Sequence, residues 1–291
     1  MSLDRTDATA SQRAIRPAPY RDPVTAIPWE TLDLAHWWLP PEATSLYGSA
    51  EFDSLSDTAR RRLSQFEFAL LAATGLWLES VFLERVARML ADGQPSAVRG
   101  VLLAELREEA GHSLMFLALL ERAAALGIAL PPIRFPVFAR WLGRRVPAGS
   151  LLFWMAMVLG EDVPDRVNRV VRRHEASGVH PVTAAMCRMH AIDEARHLAF
   201  SRARLADAWD AAGPLARRSA ALVASRVLSE LTDLYFLPPA SLYAAAGLGD
   251  GRRLRIAARA SPARRAFIAR CVEPTARLLA GMGIPVRARS G

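Results

Sequence analysis

The sequence predicts an all-α protein: a four-helix bundle with additional C-terminal helices. Three observations predict it. Apolar residues recur at helical spacing through four long segments, strand-like alternation is scarce, and the segments end at glycine or proline. About 52% of the 291 residues are hydrophobic, so the chain can bury a sizeable core.

The first helix is expected from near Asp57 to Asp92, stopped by Gly93 and Pro95. Ser96 suits the N-cap of a second helix, which runs to about Leu126 and ends at Gly127. A Pro-rich connection, Ile128 to Pro147, includes Trp141; a link of this length fits a crossing of the bundle. The third helix spans about Gly149 to Ala176 and is closed by Gly178. Pro181 fits the first turn of a fourth helix reaching roughly Ala212. Further helical stretches lie near Leu215 to Phe236 and Ala260 to Ala280, separated by Pro238-Pro239 and a Gly-rich turn. The expected organisation is one domain: an N-terminal leader and extension (1–54), the bundle (55–213) and C-terminal helices packed on it (214–291). The polar, Pro-punctuated stretch up to about Pro28 reads as a poorly ordered leader.

Composition narrows the classes. The formal net charge is +8 and every basic residue other than histidine is arginine. The arginines are spread over most helical segments and alternate with acids. That pattern describes solvated helix faces rather than a nucleic-acid surface, and the excess would suit an acidic carrier or an anionic substrate. Cys187 and Cys271 cannot staple a secreted framework, so a cytoplasmic location is expected. The longest uninterrupted apolar stretch, near Leu151 to Leu159, falls short of the ~20 residues a bilayer needs, and no membrane partner is expected.

The chemistry lies in two matched pairs. The second helix carries Glu109 and His112, and the fourth carries Glu194 and His197, 85 residues further on by the same offset. Residues three apart on a helix lie about 60° apart around its axis, so each pair points a carboxylate and an imidazole the same way. Two such pairs, with one Glu from each of two other helices, make the di-iron carboxylate site of ferritin-like bundles. On the first helix Glu79 and Glu84 compete for the role. Glu79 has Gly75, Leu76, Phe82 and Leu83 as helical neighbours, and a carboxylate in that setting is costly unless paired or bound to metal. Glu84 lies on a mixed face. On the third helix Glu161, following Trp154, Met157 and Val158, is preferred to Asp162. His190 lies four residues before Glu194, in the stripe that holds His197, and is read as a further ligand. Glu105, one turn before Glu109, could be a ligand or a supporting group. Pro164, three residues after Glu161, is expected to kink the third helix beside the site. Met115, Trp154, Met157, Thr183 and Cys187 lie within two turns of the ligands and could line a pocket.

These residues resemble the para-aminobenzoate N-oxygenase family of non-haem di-iron enzymes, which oxidise aryl amines through hydroxylamines toward nitro compounds. The resemblance rests on Glu79, Glu109 with His112, Glu161, and His190 with Glu194 and His197. The strings Leu78-Glu79-Ser80, Glu108-Glu109-Ala110-Gly111-His112 and Asp193-Glu194-Ala195-Arg196-His197 carry it locally, and it covers roughly residues 55 to 210. It implies a cofactor of two iron ions with O2 as co-substrate, with Glu109 and Glu194 bridging. Glu79 and His112 would complete one iron, and Glu161, His190 and His197 the other. It also implies a homodimer. Asp193 and Glu108, each just before a bridging glutamate, are the natural acceptors for the histidines' second N–H. With no Gly-rich nucleotide fingerprint after a strand, electrons are expected from an external donor or reductase. The function expected is oxygenation of a small-molecule substrate, most specifically N-oxygenation of an amine. The alternatives are a di-iron C–H hydroxylase or desaturase and a non-enzymatic ferritin-like iron-binding protein.

Overall fold

The computed structural model describes residues 20–93 and 96–286. Among them there is no strand, only an isolated bridge between Trp37 and Val179, and the fold is all-α. The helices are α1 (Pro23–Ala26), α2 (Ala50–Asp53), α3 (Asp57–Ala91), α4 (Ser96–Ala125), α5 (Val137–Arg145), α6 (Leu151–Arg173), α7 (Pro181–Ala211), α8 (Pro214–Phe236), α9 (Ala240–Ala245), α10 (Gly251–Ala260) and α11 (Pro262–Gly281).

Two long hairpins, α3 with α4 and α6 with α7, form the bundle, and α8 packs chiefly on α6. Local chemistry sets their ends. The Ser56 hydroxyl accepts from Ala59 N at the start of α3, and Ser150 accepts from Phe153 N at the start of α6. Pro181 stands in the first turn of α7, where a missing N–H is harmless, and His180 caps that turn by accepting from Val182 N. Gly178 closes the α6–α7 link at φ 104°. Ser96 opens α4 as its first residue, and the position before it lies outside the described residues.

The structure departs from the sequence expectations in three places. From Tyr20 onward the N-terminal segment is packed rather than loose: α1 lies against α4, Trp38 and Leu46 are fully buried, and the Trp29 indole donates to Val24 O. The part of the expected leader before Tyr20 lies outside the described residues. Burying an aromatic or aliphatic side chain of this size stabilises by about 1.5–3 kcal/mol, enough to anchor a segment without a long helix. The Pro-rich connection contains α5. Buried Arg85 of α3 donates to Gly143 O and Val146 O at its end, and Glu230 of α8 accepts from Ala139 N at its start. The Gly-rich turn after Pro239 holds α9 and α10, both too short for a periodicity to show.

α3 is also long and apolar enough, by length and composition, to cross a membrane, although polar residues interrupt its apolar run. Half of the qualifying stretch is buried inside the protein, and the helix carries Glu67 and Glu79 into the interior.

Candidate metal centre

Four helices bring seven side chains to the middle of the bundle: Glu79 from α3, Glu109 and His112 from α4, Glu161 from α6, and His190, Glu194 and His197 from α7. All seven are buried. The potential ligand atoms of six of them fall into two groups that share Glu194: Glu79, His112, His190 and Glu194, and Glu109, Glu194 and His197. Glu161 belongs to neither group and lines the adjoining cavity with Glu79, His190 and Glu194. Glu109 reaches both, with Oε2 3.0 Å from His112 Nδ1 and Oε1 3.0 Å from His197 Nδ1. Glu194 Oε1 lies 3.7 Å from His112 Nδ1 and from His190 Nε2, and 3.5 Å from His197 Nδ1.

His190 stands apart from the partition implied by the family resemblance, which places it with Glu161 and His197. Its Nε2 is 3.4 Å from Glu79 Oε1, so it faces the Glu79–His112 group. On α7 it lies one turn before Glu194, whereas His197 lies a turn after, and the two rings approach that carboxylate from opposite ends. The Asn168 side-chain amide is 3.0 Å from His190 Nδ1 and holds the ring from behind.

Behind the other two histidines the pairing is crosswise. His112 Nε2 lies 3.3 Å from Asp193 Oδ2, and His197 Nε2 lies 2.9 Å from Glu108 Oε2, so each ring meets a carboxylate from the opposite helix. Arg196 clamps both carboxylates, 2.9 Å from Glu108 and 2.7 Å from Asp193. Nε2–H donation in both rings turns each Nδ1 toward the cluster, where a metal ion would take the place of its proton.

The electrostatics describe a set of acids without enough cation. Burial first, then repulsion from Glu109, Glu194 and Glu161, holds the Glu79 carboxyl well above the usual range. Burial, followed by Glu194, does the same to Glu161. Glu105, buried beside them, is pushed up to about 8, mainly by burial. Burial would raise Glu109 too, but the His197 and His112 rings outweigh it and hold that carboxyl well below its ordinary value. Burial lowers an imidazole, and it takes His190 down to about 4 with help from the His112 charge. In His112 the bonds to Asp193 and Glu109 overcome burial and raise the ring to about 9.

Both Glu161 carboxylate oxygens, Glu194 Oε2 and His197 Nδ1 are buried without a hydrogen-bond partner. The His197 nitrogen is close to Glu109, but off the line a hydrogen bond requires. Orphaned donor atoms of this kind, converging from four helices, fit a pair of metal ions, and the mix of imidazole and carboxylate suits iron or manganese. The two competing acids are occupied elsewhere. Glu84 pairs with Arg88 on the surface, and buried Asp162 is held by Arg166, Arg202 and Thr275. A further group, Asp33, His36 and His180, lies near the surface. There the His180 ring is already engaged by Thr31 O, Asp33 N and Val182 N.

A compact cavity of about 50 Å³ opens on the cluster, with Glu79, Glu161, His190 and Glu194 in its wall. Of the pocket candidates from the sequence, Cys187 lines it, while Met115, Trp154, Met157 and Thr183 belong to the surrounding core. α6 runs through Pro164 without interruption, and Pro164 itself lines the cavity. Sequence reasoning missed Asn168, although it lies seven residues after Glu161 on the same stripe. It also missed Tyr235, which no local pattern could place because α8 brings it in by tertiary packing.

The sequence model of the family described as P-aminobenzoate N-oxygenase AurF matches residues 5–283. Three relatives are similar over much of the chain. Uncharacterized protein MT0908 of Mycobacterium tuberculosis (strain CDC 1551 / Oshkosh) is 25% identical over 81% of this chain and 70% of its own length. Uncharacterized protein Mb0909 of Mycobacterium bovis (strain ATCC BAA-935 / AF2122/97) is 27% identical over 67% of this chain and 58% of its own. Uncharacterized protein Rv0885 of Mycobacterium tuberculosis (strain ATCC 25618 / H37Rv) gives the same values.

Proposed function

Because this chain belongs to the P-aminobenzoate N-oxygenase family, whose members are di-iron oxygenases, we propose that it oxygenates the nitrogen of a small aryl amine with O2. One observation carries the reading: the two Glu-x-x-His pairs, Glu79 and His190 converge in the bundle core, and Glu161 faces the adjoining cavity with both carboxylate oxygens unpartnered. Glu109 and Glu194, each within reach of both groups, would be shared between the two metal ions. Glu79, His112 and His190 would hold one iron, and His197, with Glu161 from the cavity side, would hold the other.

When bound, the iron pair supplies electrons to O2. The balance is that of a monooxygenation: amine, O2, two electrons and two protons give hydroxylamine and water. The electrons come from an external donor or reductase. The chain's own residues fix and shield the site. Asp193 and Glu108 hold His112 and His197 by their Nε2–H groups, Arg196 locks those carboxylates, and Asn168 holds His190. Phe68, Phe82 and Phe116 keep bulk water from the cavity beside them.

The test is anaerobic loading with ferrous iron, metal analysis, then exposure to O2 and a chemical reductant with an aryl amine present. About two irons per chain and an N-oxygenated product are expected. Oxygen appearing on carbon instead would replace N-oxygenation by hydroxylation. A chain that binds no iron would overturn the reading altogether.

A further inference from the structure

The cavity beside the cluster is lined by carboxylates and, among the described residues, by no arginine. Its wall combines aromatic and aliphatic side chains, among them Phe68, Leu71, Phe82, Phe116 and Val167, with the cluster's own carboxylates. No arginine is among the described residues that line it, in a chain with 37 basic residues, all arginine. Four buried or half-buried arginines are committed elsewhere. Arg85 serves Gly143 O and Val146 O, Arg166 and Arg202 serve Asp162, and Arg264 serves Phe236 O and Ala43 O.

Charge counting points the same way. Glu79, Glu109, Glu161 and Glu194 together match the charge of two divalent ions, so a loaded centre has no positive excess to offer an anion. A carboxylate entering this space would lose its water and gain no counter-charge.

Two uncharged polar side chains line the cavity deep beside the cluster. Asn168 is occupied by His190. Tyr235, 5% exposed, makes no hydrogen bond among the described residues. A buried phenol without a partner is an unused donor.

We propose that this cavity, which at about 50 Å³ must widen by movement of its lining side chains toward the ~150 Å³ that a benzene ring fills, takes an aryl amine that carries no ionised substituent, and that the Tyr235 hydroxyl donates a hydrogen bond to a neutral acceptor on that substrate. The proposal rests on the di-iron oxygenase reading and narrows it: aminobenzoate itself, an anion at neutral pH, is a poor ligand here.

The experiment compares para-aminobenzamide with para-aminobenzoate, nearly equal in shape and different in charge. Each is titrated anaerobically into the ferrous protein by calorimetry, and the products formed with O2 and reductant are then analysed. The amide is expected to bind at least about 30-fold more tightly than the acid, the scale of leaving a charged group buried without a partner. Tyr235→Phe is expected to weaken the amide about fivefold, one neutral hydrogen bond, with iron content unchanged. Equal or tighter binding of the acid would overturn the charge argument while leaving the di-iron reading intact. Unchanged amide binding in Tyr235→Phe would remove the role of the hydroxyl. If the amide binds as expected, but O2 is reduced without any oxidised amine, the parent reading fails and the charge selectivity of the cavity stands.

Discussion

Arg196→Met removes the cation that joins the two halves of the metal centre. The guanidinium is 2.9 Å from Glu108 and 2.7 Å from Asp193, and its side chain is only 19% exposed. Methionine keeps much of the length and drops the charge. Burial would raise both carboxyls, and it is the bonds from the histidines and Arg196 that hold them below their ordinary values. Without Arg196 the two acids are left to His197 and His112 alone, apart from a marginal contact at 3.5 Å between Arg107 and Glu108. Loss of such a supporting partner weakens metal binding by about 10–100-fold, or about 1.4–2.7 kcal/mol. The assay is anaerobic competition for ferrous iron against a chromophoric chelator. Arg107→Met is the internal control, because Arg107 is 46% exposed and should change affinity by less than about twofold. Wild-type affinity in Arg196→Met, or an equal loss in Arg107→Met, would refute the crosswise clamp.

His190→Ala should lower iron content toward one per chain while the circular dichroism stays that of the wild type; full retention of both irons would exclude His190 as a ligand. Gly160→Ala should lower the melting temperature. The added Cβ meets the Phe82 ring at 2.7 Å and Leu78 at 3.1 Å, and overpacking of this kind costs about 1–3 kcal/mol, so an unchanged transition would contradict the packing. The Glu67 carboxyl, buried against Ser45, is pushed up to about 7 by burial, against its ordinary value of 4.5. Between those pH values the folded protein binds more protons than the unfolded chain, so stability falls as pH rises from about 4.5 to 7, by about 3 kcal/mol in all. Glu67→Gln should flatten that part of a urea-denaturation pH profile, and a profile with the wild-type slope would rule the assignment out.

The bundle was legible because its signals are local. Gly93, Gly127, Gly178 and Pro181 mark ends by their own backbone chemistry, and the offset of three in Glu109–His112 and Glu194–His197 fixes a shared face whatever surrounds it. The lone glutamates needed an argument about cost. Glu79 has apolar neighbours while Glu84 faces solvent and Arg88, and in the structure only Glu79 enters the cluster. What stayed hidden depends on tertiary approach. α5 forms where Arg85 and Glu230 supply partners for its ends, from 58 and 91 positions away in sequence. Tyr235 reaches the cavity because α8 packs across α6, and the side on which His190 falls depends on how α3 and α7 sit together.

The same distances explain why the centre is too expensive to be a packing accident. Five buried glutamates (Glu79, Glu105, Glu109, Glu161 and Glu194) stand with three histidines, and His190 is held in its uncharged form at neutral pH. A bundle selected for stability alone would place leucine at Glu161, whose two oxygens have no partner at all. The acids nearby that serve structure look different: Asp162 has three partners, and Glu67 is bonded by Ser45 through both backbone and side chain. The contrast within one core separates acids that the fold itself satisfies from acids that await a cation. Glu161 belongs to the second class, on the same helical turn as an Asp162 that belongs to the first.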